Sequence, residues 1–343
     1  MKKLIAIALT LAMVFALAAC GGSASTTPSS TSAGQSDSVS KEKNTKVDYP
    51  TKPITLYCGF SAGGSSDLLC RILAESMTEK IGQPVTVVNK NGGGGWVCWS
   101  EVIKTVEPDG YTFSLINSPN VTMGKYDTAN PREYDHNDFD LLGNHVSDYN
   151  VVACRKDETR FNDMASFIEY AKNNTLIVGS SAAGIMSDDG TIVERMNKEL
   201  GTKIEIVTTK GAKDNETYLL NKSTDILVGN VSDVLTGKKN GDFTVMCVFA
   251  PERVSLMDDV PTCKELGFGE IYGNSSRGYA LPKGVDPAVR EILYNAIVES
   301  INDPKTISAL EAIGAATEFV PQEEYAKFLD DGVNAAKAVY GVN

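Results

Sequence analysis

Between Ile54 and Lys80 the chain reads as a short apolar strand, a glycine–serine turn and an amphipathic helix with nothing between them. A strand that passes straight into a helix cannot return as a hairpin. Its next strand has to lie parallel to it behind a right-handed crossover, so this run commits the chain to an α/β fold. The turn is Gly59-Phe60-Ser61-Ala62-Gly63-Gly64-Ser65-Ser66-Asp67. It aims unpaired backbone N–H groups, together with the positive end of the helix dipole, at one point. That is an anion site built without a basic side chain.

The grammar repeats along the chain. Ile54–Phe60 predicts a strand, and Leu69, Ile72, Leu73 and Met77 recur at helical spacing over Asp67–Ile81, with Gly82 as the stop. Val85–Asn89 is a second strand, Trp96–Thr105 a second helix and Tyr111–Asn117 a third strand, giving β-α-β-α-β and a parallel sheet. Further strands are predicted at Asn150–Cys154, Leu176–Gly179, Ile204–Thr208, Asp225–Gly229 and Phe243–Ala250, with helices at Met164–Lys172 and Thr191–Leu200. After Tyr279-Ala280-Leu281-Pro282 the tail is helical over Pro287–Asn302, Pro304–Ile313 and Gln322–Tyr340. Two α/β units with a helical extension is the simplest architecture.

The N-terminus is a targeting segment. Lys2 and Lys3 precede an apolar run, Leu4 to Leu17, too short to span a bilayer, and Leu17-Ala18-Ala19-Cys20 follows. Small residues before that cysteine resemble the lipobox of bacterial lipoproteins, in which Cys20 would become a lipidated first residue and anchor the protein without spanning the membrane. An ordinary signal peptide is the alternative. From Gly21 to about Val47 the chain is Gly, Ser, Thr and charged residues, a flexible tether that cannot bury a core.

The formal net charge of −12 comes with no Lys/Arg cluster, so nucleic acid is excluded as an expected partner. Besides Cys20 the cysteines are Cys58, Cys70, Cys98, Cys154, Cys247 and Cys263, without a C-x-x-C pair. They read as buried free thiols, with disulfides the alternative in an exported protein. No metal site, cofactor or nucleophile motif appears. His136 and His145 sit in polar sequence and read as solvated loop residues.

The first loop lacks the Gly-Lys-Ser/Thr ending of a P-loop and the spacing of a dinucleotide fingerprint. By itself it is an anion loop or a plain turn. A second glycine–serine loop stands between a strand and a helix: Gly179-Ser180-Ser181-Ala182-Ala183-Gly184-Ile185-Met186-Ser187-Asp188-Asp189-Gly190. The two loops could face each other across a cleft, each gripping one end of an anion at the carboxyl ends of strands. The run Gly92–Gly95 is either a close backbone approach to a ligand or a turn. Trp96, Trp99 and Tyr279 either wall the pocket or belong to the core. Asp67, Asp188 and Asp189 read as helix N-terminal charges rather than acid/base partners.

In order along the chain stand Tyr49-Pro50-Thr51-Lys52-Pro53-Ile54, Phe60-Ser61-Ala62-Gly63-Gly64-Ser65-Ser66-Asp67, Gly82-Gln83-Pro84-Val85 and Asn89-Lys90-Asn91-Gly92-Gly93-Gly94-Gly95. Pro108-Asp109-Gly110-Tyr111-Thr112, Asp259-Val260-Pro261-Thr262, Glu265-Leu266-Gly267 and Ala280-Leu281-Pro282-Lys283-Gly284-Val285-Asp286-Pro287 follow. On these blocks, which cover about Tyr49 to Tyr340, the chain resembles the substrate-binding receptors of tripartite tricarboxylate transporters (the TctC or Bug family).

The resemblance implies a two-lobed clamshell of the type II periplasmic-binding-protein kind, each lobe a mainly parallel sheet flanked by helices. It implies residues 1–19 as signal, 20–47 as tether, 48–145 plus 276–343 as one lobe and 146–275 as the other. It implies a monomeric receptor, not an enzyme, that is exported and held on the cell membrane by its lipid. Such a receptor captures a small carboxylate and delivers it to membrane permease subunits. The alternatives are an exported phosphate-ester enzyme and a ligand-sensing domain. The ligand residues it implies are Phe60, Ser61, Ala62, Gly63, Gly64, Ser65, Asp67 and Gly94 on one side and Ser180, Ser181, Ser187 and Asp188 on the other. Lys210 is added at the rim and Tyr279 near a hinge, with hinge strands near 142–148 and 274–280. Two departures stand out. Gly59 replaces the family's usual proline, and Asp188 or Asp189 stands where a histidine is usual. A carboxylate there repels an anion unless it turns outward, so a less charged or amide-bearing ligand, or another register of donors, stays open.

Overall fold

The computed structural model describes residues 47–341 apart from 128–129 and 183–185. The leader, Cys20 and the tether to residue 46 lie outside the described residues. The first unit runs β1 (Ile54–Cys58), α1 (Ser65–Ile81), β2 (Val85–Asn89), α2 (Trp96–Lys104), β3 (Thr112–Ser118). β1 pairs in parallel with β2 and β3, as the strand–helix alternation requires. α1 starts at Ser65, two residues before the predicted Asp67, and buries Leu69, Leu73 and Met77. It ends where Gly82 turns left-handed at φ 73° and its N–H reaches the Thr78 carbonyl at 3.2 Å.

The short α3 (Asn120–Met123) leads to β4 (Phe139–Arg155), a strand of 17 residues of which the predicted Asn150–Cys154 is only the end. Its first part is studded with Asp140, Gly143, Asn144 and Asp148, which hid it from an apolar pattern. The second unit continues α4 (Met164–Asn173), β5 (Leu176–Ser180), α5 (Asp188–Arg195), β6 (Ile204–Thr208), α6 (Ala212–Leu220), β7 (Leu227–Asn230), α7 (Val231–Asn240), β8 (Phe243–Val248). The chain then returns through β9 (Asn274–Pro282), α8 (Pro287–Ile301), α9 (Pro304–Ala312), β10 (Thr317–Pro321) and α10 (Gln322–Tyr340). α5 is extended by a π-helical turn, Met196–Leu200. The predicted helix began at Thr191; its first turn in fact includes Asp188, Asp189 and Gly190, because Ser187 caps it.

The parallel parts of the sheets are β1–β3 and β5–β6. The long strands β4 and β9, unforeseen in this length, add antiparallel pairs. β4 pairs along its first part with β9 and β10, and along its end with β7 and β8. Hydrophobic side chains accordingly gather in separate cores. One is built on β1, α1, β3 and the C-terminal helices, with Leu56, Phe113, Leu293 and Tyr325 fully buried. The others lie between 151 and 271, around Phe167, Val178 and Phe249 on one side and Val151, Val234 and Val248 on the other. β4 and β9 run from the first of these cores to the others.

Several single-residue expectations change. His136 and His145 are not solvated: they are 3% and 0% exposed. His136 Nε2 meets Asp330 at 2.9 Å, and His145 lies inside β4. Trp96 and Trp99 belong to the core, their indole N–H groups donating to the carbonyls of Asn120 and Leu115. The six cysteines of the described residues are buried free thiols.

Candidate functional site

The turn after β1 is shaped by Asp67. Its carboxylate accepts from the Gly63 N–H at 2.8 Å, from Arg71 at 2.9 Å and from the Asn89 amide at 2.9 Å. Burial alone would raise this carboxyl, but those donors outweigh it and hold the group below its ordinary value. Asp67 is therefore the turn's brace rather than a ligand contact. It leaves Phe60, Ser61, Gly64, Ser65 and Ser66 along one wall of a cleft of about 410 Å³, counted to its open mouth.

The other walls come from far along the chain. Asn117 lies at the end of β3 and Asn120 opens α3, Ser181 follows β5, Asp188 and Asp189 open α5, and Gly211 and Ala212 open α6. Asn230 and Asp233 open α7, and Ser275 and Arg277 lie on β9. The N-termini of α1, α5, α6 and α7 thus converge on one space, each bringing the positive end of its dipole. Neither Gly64, before α1, nor Gly211, before α6, has a side chain to close its helix. Gly211 is also pinned sterically: at φ +139°, an added Cβ would stand 3.1 Å from Ser61 Oγ.

Arg277 is the cation at the back, 2% exposed. Its guanidinium reaches Asp148 at 3.2 Å and Asn230 Oδ1 at 2.6 Å, and Ser232 donates its hydroxyl to the same Asp148 carboxylate. Burial would lower its pKa; the carboxylates of Asp148, Asp233 and Asp188 hold it up. Asp148, itself buried, is pushed up to about 6 by desolvation, against the pull of Arg277 and Ser232. Asp188 does not turn outward: it is 8% exposed, and its Oδ2 accepts from the amides of Asn150 and Asn230, both at 2.9 Å. Asp189 is raised by burial first and then by the charges of Asp188 and Asp233. Asp233 is raised by burial against the pull of Arg277 and Ser65. Four buried atoms on the wall have no protein partner: Ser61 Oγ, Asn117 Oδ1, Asp233 Oδ1 and Arg277 Nε.

Of the residues expected at the site, Phe60, Ser61, Gly64, Ser65, Ser181 and Asp188 line the cleft. Ala62 and Gly63 are exposed on the far side of the turn. Gly94 lies beside a smaller neighbouring cavity, where an added Cβ would stand 3.3 Å from Ala182. Ser180 and Ser187 hold each other at 2.8 Å, with Ser187 spent as the α5 cap. Lys210 is exposed, its backbone N–H bonded to Asp214, and does not reach the cleft. Tyr279 is fully buried in the first core, its hydroxyl 2.9 Å from His145 Nδ1, and does not wall the pocket. Missed by sequence were Asn117, Asn120, Gly211, Ala212, Asn230, Asp233, Ser275 and Arg277. The pair Asn230 and Asp233 carries a signal, since Asn followed at three residues by an acid marks a helix start. Arg277 carries none, because its partner Asp148 is 129 residues away.

The model of a family described as the tripartite tricarboxylate transporter family receptor matches residues 69–341. A protein of Cupriavidus necator, "UPF0065 protein in gbd 5'region", is 27% identical over 299 residues, covering 85% of this chain and 87% of its own length. A solved structure titled as a periplasmic transporter superposes with a TM-score of 0.77 at 30% identity, covering 85% of this chain and 97% of that one. The periplasmic binding protein BugD superposes with a TM-score of 0.78 at 25% identity, covering 85% of this chain and 98% of that one. The two-lobed architecture is thus that of periplasmic binding proteins.

Proposed function

We infer that this chain, which belongs to the tripartite tricarboxylate transporter receptor family, captures a small carboxylate between its lobes and delivers it to membrane permease subunits. It works as an exported monomer held at the membrane through Cys20, with lobes at 48–145 plus 276–343 and at 146–275 that close about β4 and β9. The observation that carries the reading is the pair of unpartnered donors, Ser61 Oγ and Arg277 Nε, on one cleft where uncapped helix N-termini meet. A buried polar group without a partner costs about 1–3 kcal/mol. A carboxylate that accepts from these groups removes that cost and meets the dipoles of α1 and α6.

A thermal-shift screen of organic acids tests it, since a ligand at 100 times its Kd stabilises by about 2.7 kcal/mol. Stabilisation by members of the panel is expected, and its absence across mono-, di- and tricarboxylates and amino acids would sink the reading. Ser61→Ala sharpens the test. The hydroxyl has no partner in the protein, so its loss should leave unliganded stability within about 0.5 kcal/mol. A hydrogen bond to a charged ligand is worth about 1.5–3 kcal/mol, so affinity should fall roughly 10- to 100-fold.

A further inference from the structure

The cleft has two unlike poles. Ser61 and the uncapped starts of α1 and α6 form a pole of donors. Opposite in character are the starts of α5 and α7, which carry Asp188, Asp189 and Asp233 on the cleft wall. Arg277 offsets only part of this charge: it is one cation among the carboxylates of Asp148, Asp188 and Asp233, with its terminal nitrogens bonded to Asp148 and Asn230. A ligand that is only an anion would bring like charge against the acidic pole.

We propose that the ligand carries a protonated amine as well as a carboxylate, its ammonium held by Asp188, Asp189 and Asp233 and its carboxylate by the Ser61 pole. The inference rests on the carboxylate reading above and narrows it to ligands of the amino-acid class. Two orphan acceptors point to the same end. Asn117 Oδ1, on a residue 4% exposed, and Asp233 Oδ1 both lack a partner, as befits atoms waiting for N–H donors. The raised carboxyls of Asp189 and Asp233 are what a buried acidic group shows when its cation is absent.

Calorimetric titration with matched pairs isolates the amine: aspartate against succinate, glutamate against glutarate, 2-aminoadipate against adipate. At least one amino member should bind about tenfold or more tighter than its des-amino partner. Asp189→Asn, nearly the same shape without the charge, should shrink that preference by weakening the amino ligand and sparing or improving the des-amino one. Des-amino acids that bind as well as or better than their partners would overturn the inference while leaving the carboxylate receptor standing. A preference unchanged in Asp189→Asn would overturn the placement of the amine. If neither member of any pair binds, both readings fall together.

Discussion

His145 sits in the middle of β4 with Nδ1 2.9 Å from the Tyr279 hydroxyl, while its Nε2 is buried without a partner. Burial pushes its pKa down to about 3 from an ordinary 6.5, so the folded protein keeps the ring neutral. A depressed histidine contributes stability that is present above its unfolded pKa and is lost as pH falls toward the folded one. The window is therefore pH 6.5 down to about 3. Replacing His145 with Gln removes the titration, and chemical denaturation between pH 7 and 4 should show a shallower acid loss than in the natural protein. An equal slope would mean that the ring is not buried neutral. Asp148 acts in the opposite sense. Its carboxyl is raised to about 6, so its share of stability is full below the ordinary value of 3.8 and is lost as pH rises through 6. Arg277 limits that loss, and a titration of the Asp148 carboxyl by NMR should find it well above an exposed aspartate.

At the scale of elements, the β1–α1 unit shows how a strand, a turn and a helix make a binding wall. Asp67 closes the turn from inside the helix: it takes the Gly63 N–H, Arg71 and the Asn89 amide, and Asn89 also donates to the Phe60 carbonyl at 3.0 Å. The arrangement ties β1, β2 and α1 together below the loop while Ser61, Gly64, Ser65 and Ser66 stay turned to the cleft. Asp67→Ala should cost about 1–3 kcal/mol in urea denaturation, since it strands several donors at once. It should also weaken ligand binding, although Asp67 does not line the cleft. Unchanged affinity would show that the loop holds its shape without this brace. α5 offers the converse lesson. Ser187 accepts from the Gly190 N–H at 3.0 Å and starts the helix early, which turns Asp188 and Asp189 from loop residues into first-turn residues that face the cleft. From sequence Ser187 was expected to hold the ligand beside Ser180 and Ser181, but the fold spends its hydroxyl on the cap and on Ser180.

At the scale of the molecule, the jaws touch at more than the main cleft. The Asn120 amide lies 3.4 Å from Ser181 Oγ. An added Cβ on Gly94 (φ +64°) would stand 3.1 Å from Asn120 Nδ2 and 3.3 Å from Ala182 Cβ. Gly94 therefore permits close approach of the first unit's turn to the loop after β5. Gly94→Val should obstruct that approach and cut ligand affinity about tenfold or more, with a stability cost of about 1–2 kcal/mol from the left-handed backbone. Small-angle scattering would check the mechanism: the variant should fail to contract on ligand addition where the natural protein contracts. A ligand stabilises the closed form only by contacts it gains there, so an obstructed jaw removes the reason to close.

The sequence by itself determined the α/β units. Strand–helix alternation, glycine stops and apolar spacing are local, and β1, α1, β2, α2 and β3 appear within a few residues of where those signals put them. It also placed one wall of the cleft, because a glycine–serine turn ahead of a helix is a local device. Only the tertiary structure decided the rest. Strands β4 and β9 are too polar to show in an apolar pattern, so only the expected hinge strands near 142–148 and 274–280 pointed to them, and their pairing runs between residues as far apart as Phe139 and Pro282. Arg277, Asn230, Asp233 and Asn117 become site residues because helix N-termini and sheet ends distant in sequence meet at one point. Tyr279 and Lys210 lie off the cleft for the same reason: where a side chain points depends on which neighbours the fold supplies. Charge made the largest difference. Asp188 and Asp189 read from sequence as helix N-terminal charges, and they join Asp233 of α7 as one acidic pole only where both helices face the same cleft.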